Sequence, residues 1–117
     1  MFNGVFTYKH SMKQLFVVTR TRGPAWDASK PMNAQEQWPE HATFMNQFAA
    51  DEFVVLGGPL GGTDDFLLVI DAGDADEINA TLARDPWTQS GMLEIKDIRP
   101  WTILLEAKQR SVTRAAS

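Results

Sequence analysis

Two apolar runs, Phe53–Leu56 and Phe66–Ile70, stand on either side of the glycine-rich segment Gly57-Gly58-Pro59-Leu60-Gly61-Gly62. A glycine-rich turn between short apolar runs is the signature of a β-hairpin. It fixes the middle of the chain as two consecutive antiparallel strands. Everything before and after must then be arranged around that pair.

On the N-terminal side, Leu15, Val17 and Thr19 alternate with Phe16, Val18 and Arg20. Both faces are largely apolar until Arg20, as in a central strand buried on two sides. The segment Thr21-Arg22-Gly23-Pro24-Ala25-Trp26-Asp27-Ala28-Ser29-Lys30-Pro31-Met32-Asn33 follows, a long loop of the kind that often carries function. From about Asn33 to Ala50 the period becomes helical, with Trp38, Ala42, Met45 and Ala49 at three- and four-residue steps. Asn33 and Glu36 have capping-box spacing. Pro39 opposes that start, so the helix begins near Trp38 or kinks there.

On the C-terminal side, Asp74 and Glu77 form a second capping box, ahead of a helix whose buried stripe is Ala75, Ile78 and Leu82. Leu93 and Ile95 open a last strand. Its phase slips near Asp97-Ile98 and resumes at Trp101, Ile103 and Leu105, which places a bulge or bend near Pro100. The order is β-α-β-β-α-β, the ferredoxin-like split motif of an α+β domain. Two helices cover only one face of such a four-stranded antiparallel sheet. A homodimer is the simplest source of cover for the other. The domain is expected at residues 12–106, with an N-terminal extension at 1–11 and a tail at 107–117.

With 117 residues and 44% apolar content the chain can bury a core without staples. It has no cysteine, so thiol nucleophiles, thiolate metal sites and disulfides are excluded, and a reducing cytoplasm fits. A net charge of −4 argues against nucleic acid as a partner. No stretch approaches the roughly 20 apolar residues of a membrane span.

His41 is the most informative titratable residue. Helical spacing sets it among Trp38, Phe44, Met45 and Phe48. An imidazole against apolar walls has its charged form disfavoured, which suits a general base. The other reading is a histidine at a helix–sheet edge bonded to backbone. Asp85-Pro86-Trp87 also carries two readings. Aspartate before proline is a good helix cap, and a carboxylate there can instead orient a histidine. The glycine run is not a phosphate loop, because no Gly-Lys-Ser/Thr follows. It is a permissive turn, or a place where backbone approaches a ligand. Arg20, Arg22 and Arg99 can hold a carboxylate in fork geometry. His10 and His41 lie in different segments, so a metal site has little support, and no serine sits in a nucleophile elbow.

The segments Gln37-Trp38-Pro39-Glu40-His41-Ala42-Thr43-Phe44-Met45, Phe53-Val54-Val55-Leu56-Gly57-Gly58-Pro59-Leu60, Asp85-Pro86-Trp87 and Arg99-Pro100-Trp101-Thr102 resemble, in order and spacing, the YciI-like (YCII-related) family. The likeness covers about residues 13–106, and residues 1–11 depart from the usual start. It implies the dimeric α+β-barrel fold shared with muconolactone-isomerase-like proteins, and a catalytic dyad of His41 and Asp85. Some relatives are assigned to ring dehydrochlorination. The expectation is therefore a lyase- or isomerase-type enzyme acting on a small aromatic or carboxylated molecule, without a cofactor. Trp38, Gly57, Gly58, Pro59 and Arg99 would bind the substrate. The alternative is a non-catalytic dimeric ligand-binding or interaction module.

Overall fold

The computed structural model describes residues 13–107. The expected N-terminal extension, and all of the expected tail beyond Ala107, lie outside the described residues. Four strands, β1 (Leu15–Arg22), β2 (Val54–Pro59), β3 (Asp65–Asp71) and β4 (Leu93–Pro100), form one antiparallel sheet in the order β2-β3-β1-β4. Three helices, α1 (Trp38–Ala50), α2 (Ala75–Leu82) and the single turn α3 (Pro86–Gln89), complete the α+β domain.

Registers show which side chains share a face, because residues paired across strands point the same way. Phe16 faces Ile70, Val18 faces Leu68, and Arg20 faces Phe66 on one side and Ile95 on the other. These residues lie under the helices. Phe16, Val18, Val54, Leu68 and Ile70 join Ala72, Ile78 and Leu82 in the main core, with Phe44, Met45 and Phe48 packed against it. A second, smaller cluster of Trp87, Met92 and Leu93 gathers Trp26, Met32, Trp38 and Phe66. The opposite sheet face carries Val17, Leu56, Leu67 and Val69, of which Leu56 is 46% and Leu67 37% exposed. β1 is thus central, and on the opposite face it is buried at Leu15 but only partly at Val17 and Thr19.

The start of α1 agrees with one of the two sequence readings, while local boundaries differ from the expectation in four other places. α1 starts at Trp38 with Pro39 in its first turn, where a missing N–H costs nothing. Asn33 sits in a preceding 3₁₀ turn, so the Asn33–Glu36 box is not used. Gly57, Gly58 and Pro59 belong to β2, and the turn lies beyond them, closed by Leu60 N–H donating to Asp65 O at 2.9 Å. Proline is tolerated there because β2 is an edge strand ending at Pro59. The slip in β4 lies at Lys96: Thr19 pairs with Asp97 and Arg20 with Ile95, leaving one residue over. β4 then ends at Pro100, so Trp101, Ile103 and Leu105 do not continue it.

The expected α2 cap is present. Asp74 Oδ1 accepts from Glu77 N–H at 2.9 Å, and Glu77 Oε1 accepts from Gly73 N–H at 2.7 Å. α1 ends with Phe53 N–H donating to Phe48 O and Glu52 N–H to Ala49 O, a Schellman closure with Glu52 at φ 65°. The Phe48 and Phe53 rings meet at 5.5 Å across it.

The loop after β1 is pinned to the start of β4. Gly23 N–H donates to Met92 O and Ala25 N–H to Gly91 O. A Cβ on Gly23 would lie 2.2 Å from Gly91 O, a clash with backbone, whereas one on Gly61 meets nothing within 4 Å. Gly23→Ala is therefore expected to lower stability by about 1–3 kcal/mol, and Gly61→Ala to change it by less than about 1 kcal/mol. Urea melts of both variants check this; equal effects would show that the loop yields freely.

Candidate active site

The second cluster is where α1, β1 and α3 meet. His41 lies one turn into α1 and is the only buried residue of that helix. Asp85 follows the end of α2, with its N–H donating to Leu82 O, and starts α3 by accepting Trp87 N–H at Oδ1, 2.9 Å. Pro86 occupies the first helical position. The capping role of Asp85 is therefore real, and it coexists with a second one. His41 Nδ1 lies 2.9 Å from both Oδ1 and Oδ2 of Asp85, across 44 positions of sequence.

Arg20 completes the arrangement from β1. Its η1 nitrogen donates to Asp85 Oδ2 at 2.9 Å, and its η2 nitrogen donates to Thr88 Oγ1 at 2.5 Å. Arg20 is 1% and Asp85 0% exposed. Arg20 Nε is buried with no partner. Burial alone would push the Asp85 carboxyl up. The hydrogen bond to His41, the Trp87 amide and the Arg20 guanidinium outweigh it and hold the group below the usual carboxylate range. Burial pushes the Arg20 guanidinium below its ordinary value, opposed by Asp85.

Because an ionised carboxylate only accepts, the nitrogen facing Asp85 carries the proton. In the tautomer this bond selects, Nε2 is the acceptor. The ring stacks on Trp87, with centroids 3.9 Å apart and planes 8° from parallel. Trp87 is itself fixed by its Nε1 donating to Glu36 O at 2.6 Å. Trp38 flanks His41 at 6.0 Å.

His41 and Arg20 open onto a cavity of about 410 Å³ between α1 and the sheet. That volume falls in the usual range for small-molecule sites. The stripe read from the sequence as Trp38, Ala42, Met45 and Ala49 lines it, with Met45 also packed against the main core. Val54, Gly57, Gly58 and Pro59 form the β2 side, with Met32, Phe66, Leu68, Trp87 and Leu93 elsewhere. A Cβ on Gly57 would meet Leu68 Cδ2 at 2.6 Å, so glycine lets the strand close on its neighbour.

Residues 13–102 match the family model for the YCII-related domain. The chain belongs to that family. No curated protein matches it. In this YCII-related domain, the sequence-derived residues His41, Trp38, Gly57, Gly58 and Pro59 gather at one cavity, with Asp85 directly behind His41. Arg99 does not join them. It is exposed, pairs with Asp97 at 2.8 Å, and its register partner Val17 places it on the opposite sheet face. The arginine at the site is Arg20, and parity marks it, since Arg20 follows Phe16 and Val18 at two-residue steps. Met32 and Thr88 carried no comparable signal. Among the described residues, no cluster of three or more His, Cys, Asp or Glu could hold a metal ion, and no helix is long and apolar enough to cross a membrane.

Asp85→Asn keeps a helix cap but leaves Arg20 buried without a counter-charge. Breaking such a buried pair is expected to cost about 3–5 kcal/mol at neutral pH. The pH dependence has a definite sign. With its folded pKa depressed, Asp85 contributes stability above the unfolded value of about 3.9, and that contribution is lost as pH falls through the folded pKa. Urea melts from neutral to acidic pH should show wild-type stability declining below about pH 4 more steeply than that of Asp85→Asn. Parallel profiles would remove Asp85 as the ion the fold depends on.

Proposed function

We propose that this YCII-related protein is a small enzyme of lyase or isomerase type, in which His41 Nε2 moves a proton on a small aromatic or carboxylated substrate and Asp85 orients the ring. The observation that carries this reading is the doubly held His41 Nδ1. A buried carboxylate fixes one nitrogen, while the other takes no partner among the described residues and the ring lines a largely apolar cavity. Asp85 would also stabilise the imidazolium formed after proton abstraction. Trp38 and the Gly57-Gly58-Pro59 edge supply cavity wall, and none of these steps calls on a cofactor.

The experiment is proton exchange at carbon. A panel of small phenols, enolisable acids and ring lactones is incubated with the protein in deuterium oxide and followed by NMR. A proton-abstracting enzyme is expected to incorporate deuterium into at least one compound, with the rate falling about 10²-fold or more in His41→Gln. Compounds that bind without exchange, across the whole panel, would favour a ligand-binding module instead.

We also propose a homodimer packed through the sheet face opposite the helices. Half-exposed Leu56 and Leu67, with Val17 and Val69 beside them, support it. A stable dimer of this kind buries roughly 1,200–2,000 Å² in total. Light scattering at micromolar concentration is expected to give twice the chain mass, and Leu67→Lys to shift the protein toward monomer. A wild-type monomer under those conditions would rule the arrangement out.

A further inference from the structure

The polar inventory of the cavity restricts what it can hold, and the restriction rests on the proposed role of His41. Among the described residues, no carboxylate lines the cavity. Asp85 lies behind the wall with both oxygens occupied, Oδ1 by Trp87 N–H and His41, Oδ2 by Arg20 and His41. A cationic ligand therefore meets no free acceptor charge among the described residues. A dianion fares no better. Each terminal nitrogen of Arg20 already holds a partner, Asp85 or Thr88, and its charge is balanced by Asp85. Among the described residues, no lysine or other arginine lines the wall.

His41 remains. The titratable groups that face it are Arg20 from β1 and Asp85 ahead of α3. On its own helix Glu40 is exposed, while β2, β3 and β4 present Val54, Phe66, Leu68 and Leu93 to the cavity. With Nδ1–H committed to Asp85, Nε2 accepts from an acidic O–H, or donates to the conjugate anion once the proton has crossed. Either way one proton is shared between Nε2 and one oxygen. The rest of the wall is mainly aliphatic, aromatic or thioether, apart from the exposed Asn46.

We infer that the cavity takes a small monoprotic acid, with its single ionisable oxygen against His41 Nε2 and an uncharged apolar body among Met32, Met45, Val54 and Phe66. A carboxylic acid and a phenol offer the same group, so the test carries an arm for each. Binding is measured by titration calorimetry with benzoate, 4-chlorophenol, methyl benzoate, benzylamine and phthalate on the full chain, and the imidazole ¹⁵N signals of His41 are followed alongside.

The expected result is that benzoate or 4-chlorophenol binds at least tenfold more tightly than the ester, the amine and the dianion, and shifts the His41 Nε2 resonance. Whichever of the two binds more tightly identifies the acid type. In His41→Gln the preference over methyl benzoate should collapse to within a factor of about two. An amine, ester or dianion that equals the better acid overturns the inference. So does an acid that leaves the His41 resonance unmoved, a preference that survives in His41→Gln, or failure of all five probes to bind. The ¹⁵N signal and the probe ranking are read on wild-type protein, so an unstable variant cannot mask the answer. Because only binding is read, the acid preference can hold while carbon exchange fails, or fail while exchange holds.

Discussion

The Asp85 carboxylate is the point on which the site is built. It joins three elements that are far apart in sequence: β1 through Arg20, α1 through His41, and its own helix α3 through the Trp87 amide. A fully buried carboxylate costs several kcal/mol to desolvate and is kept only where its acceptors are saturated. Here every contact is a donor and one is a permanent cation. That explains how an ion survives in the second cluster, and why His41 has so little freedom. Its ring is held in its plane by the carboxylate and from one face by Trp87, which is itself anchored to Glu36 O.

The same constraint accounts for the cavity. Interiors pack densely, and an empty region persists only where neighbouring groups are prevented from collapsing into it. Arg20, Trp87 and His41 occupy the inner side of the first turns of α1, while Phe44 and Phe48 hold its later turns against the main core. The helix is thereby supported at both ends of its inner face. The stripe of Trp38, Ala42, Met45 and Ala49 looks across open space to β2.

Much of the fold was legible because it rests on local periodicity. Alternation located β1 and the start of β4, apolar runs around the glycine-rich segment located the hairpin strands, and the Asp74–Glu77 pair marked the start of α2. The errors share a cause: one residue pattern served two geometries. Gly57 and Gly58 read as turn residues, yet an edge strand admits them. Asn33 and Glu36 have the spacing of a cap, yet Pro39 can sit only in a first helical turn, which sets the start at Trp38. The His41–Asp85 contact has no local signature, since a separation of 44 residues is decided by how α1 and α3 cross. The residues offered a histidine-orienting carboxylate at Asp85 as one of two readings, and family resemblance made it a pair with His41. Arg20 was one of three arginines named for a carboxylate, and parity could have singled it out over Arg99, because the inward face of β1 runs Phe16, Val18, Arg20. A buried arginine there demands a buried carboxylate, and Asp85 answers it.

The bulge at Lys96 has a bearing on how this sheet tolerates changes in length. Side chains in a strand alternate with a period of two, so losing one residue ordinarily turns everything beyond it inside out. In β4 the extra residue already separates two segments that share a phase. Ile95 and Ile98 both face the helices although they are three positions apart. Deleting Lys96 would give up its contact with Asp65 at 2.9 Å and the added local twist. It would also restore an ordinary two-residue step and leave both isoleucines inward. Within β4, then, the position best able to absorb a lost residue lies mid-strand, not at either end.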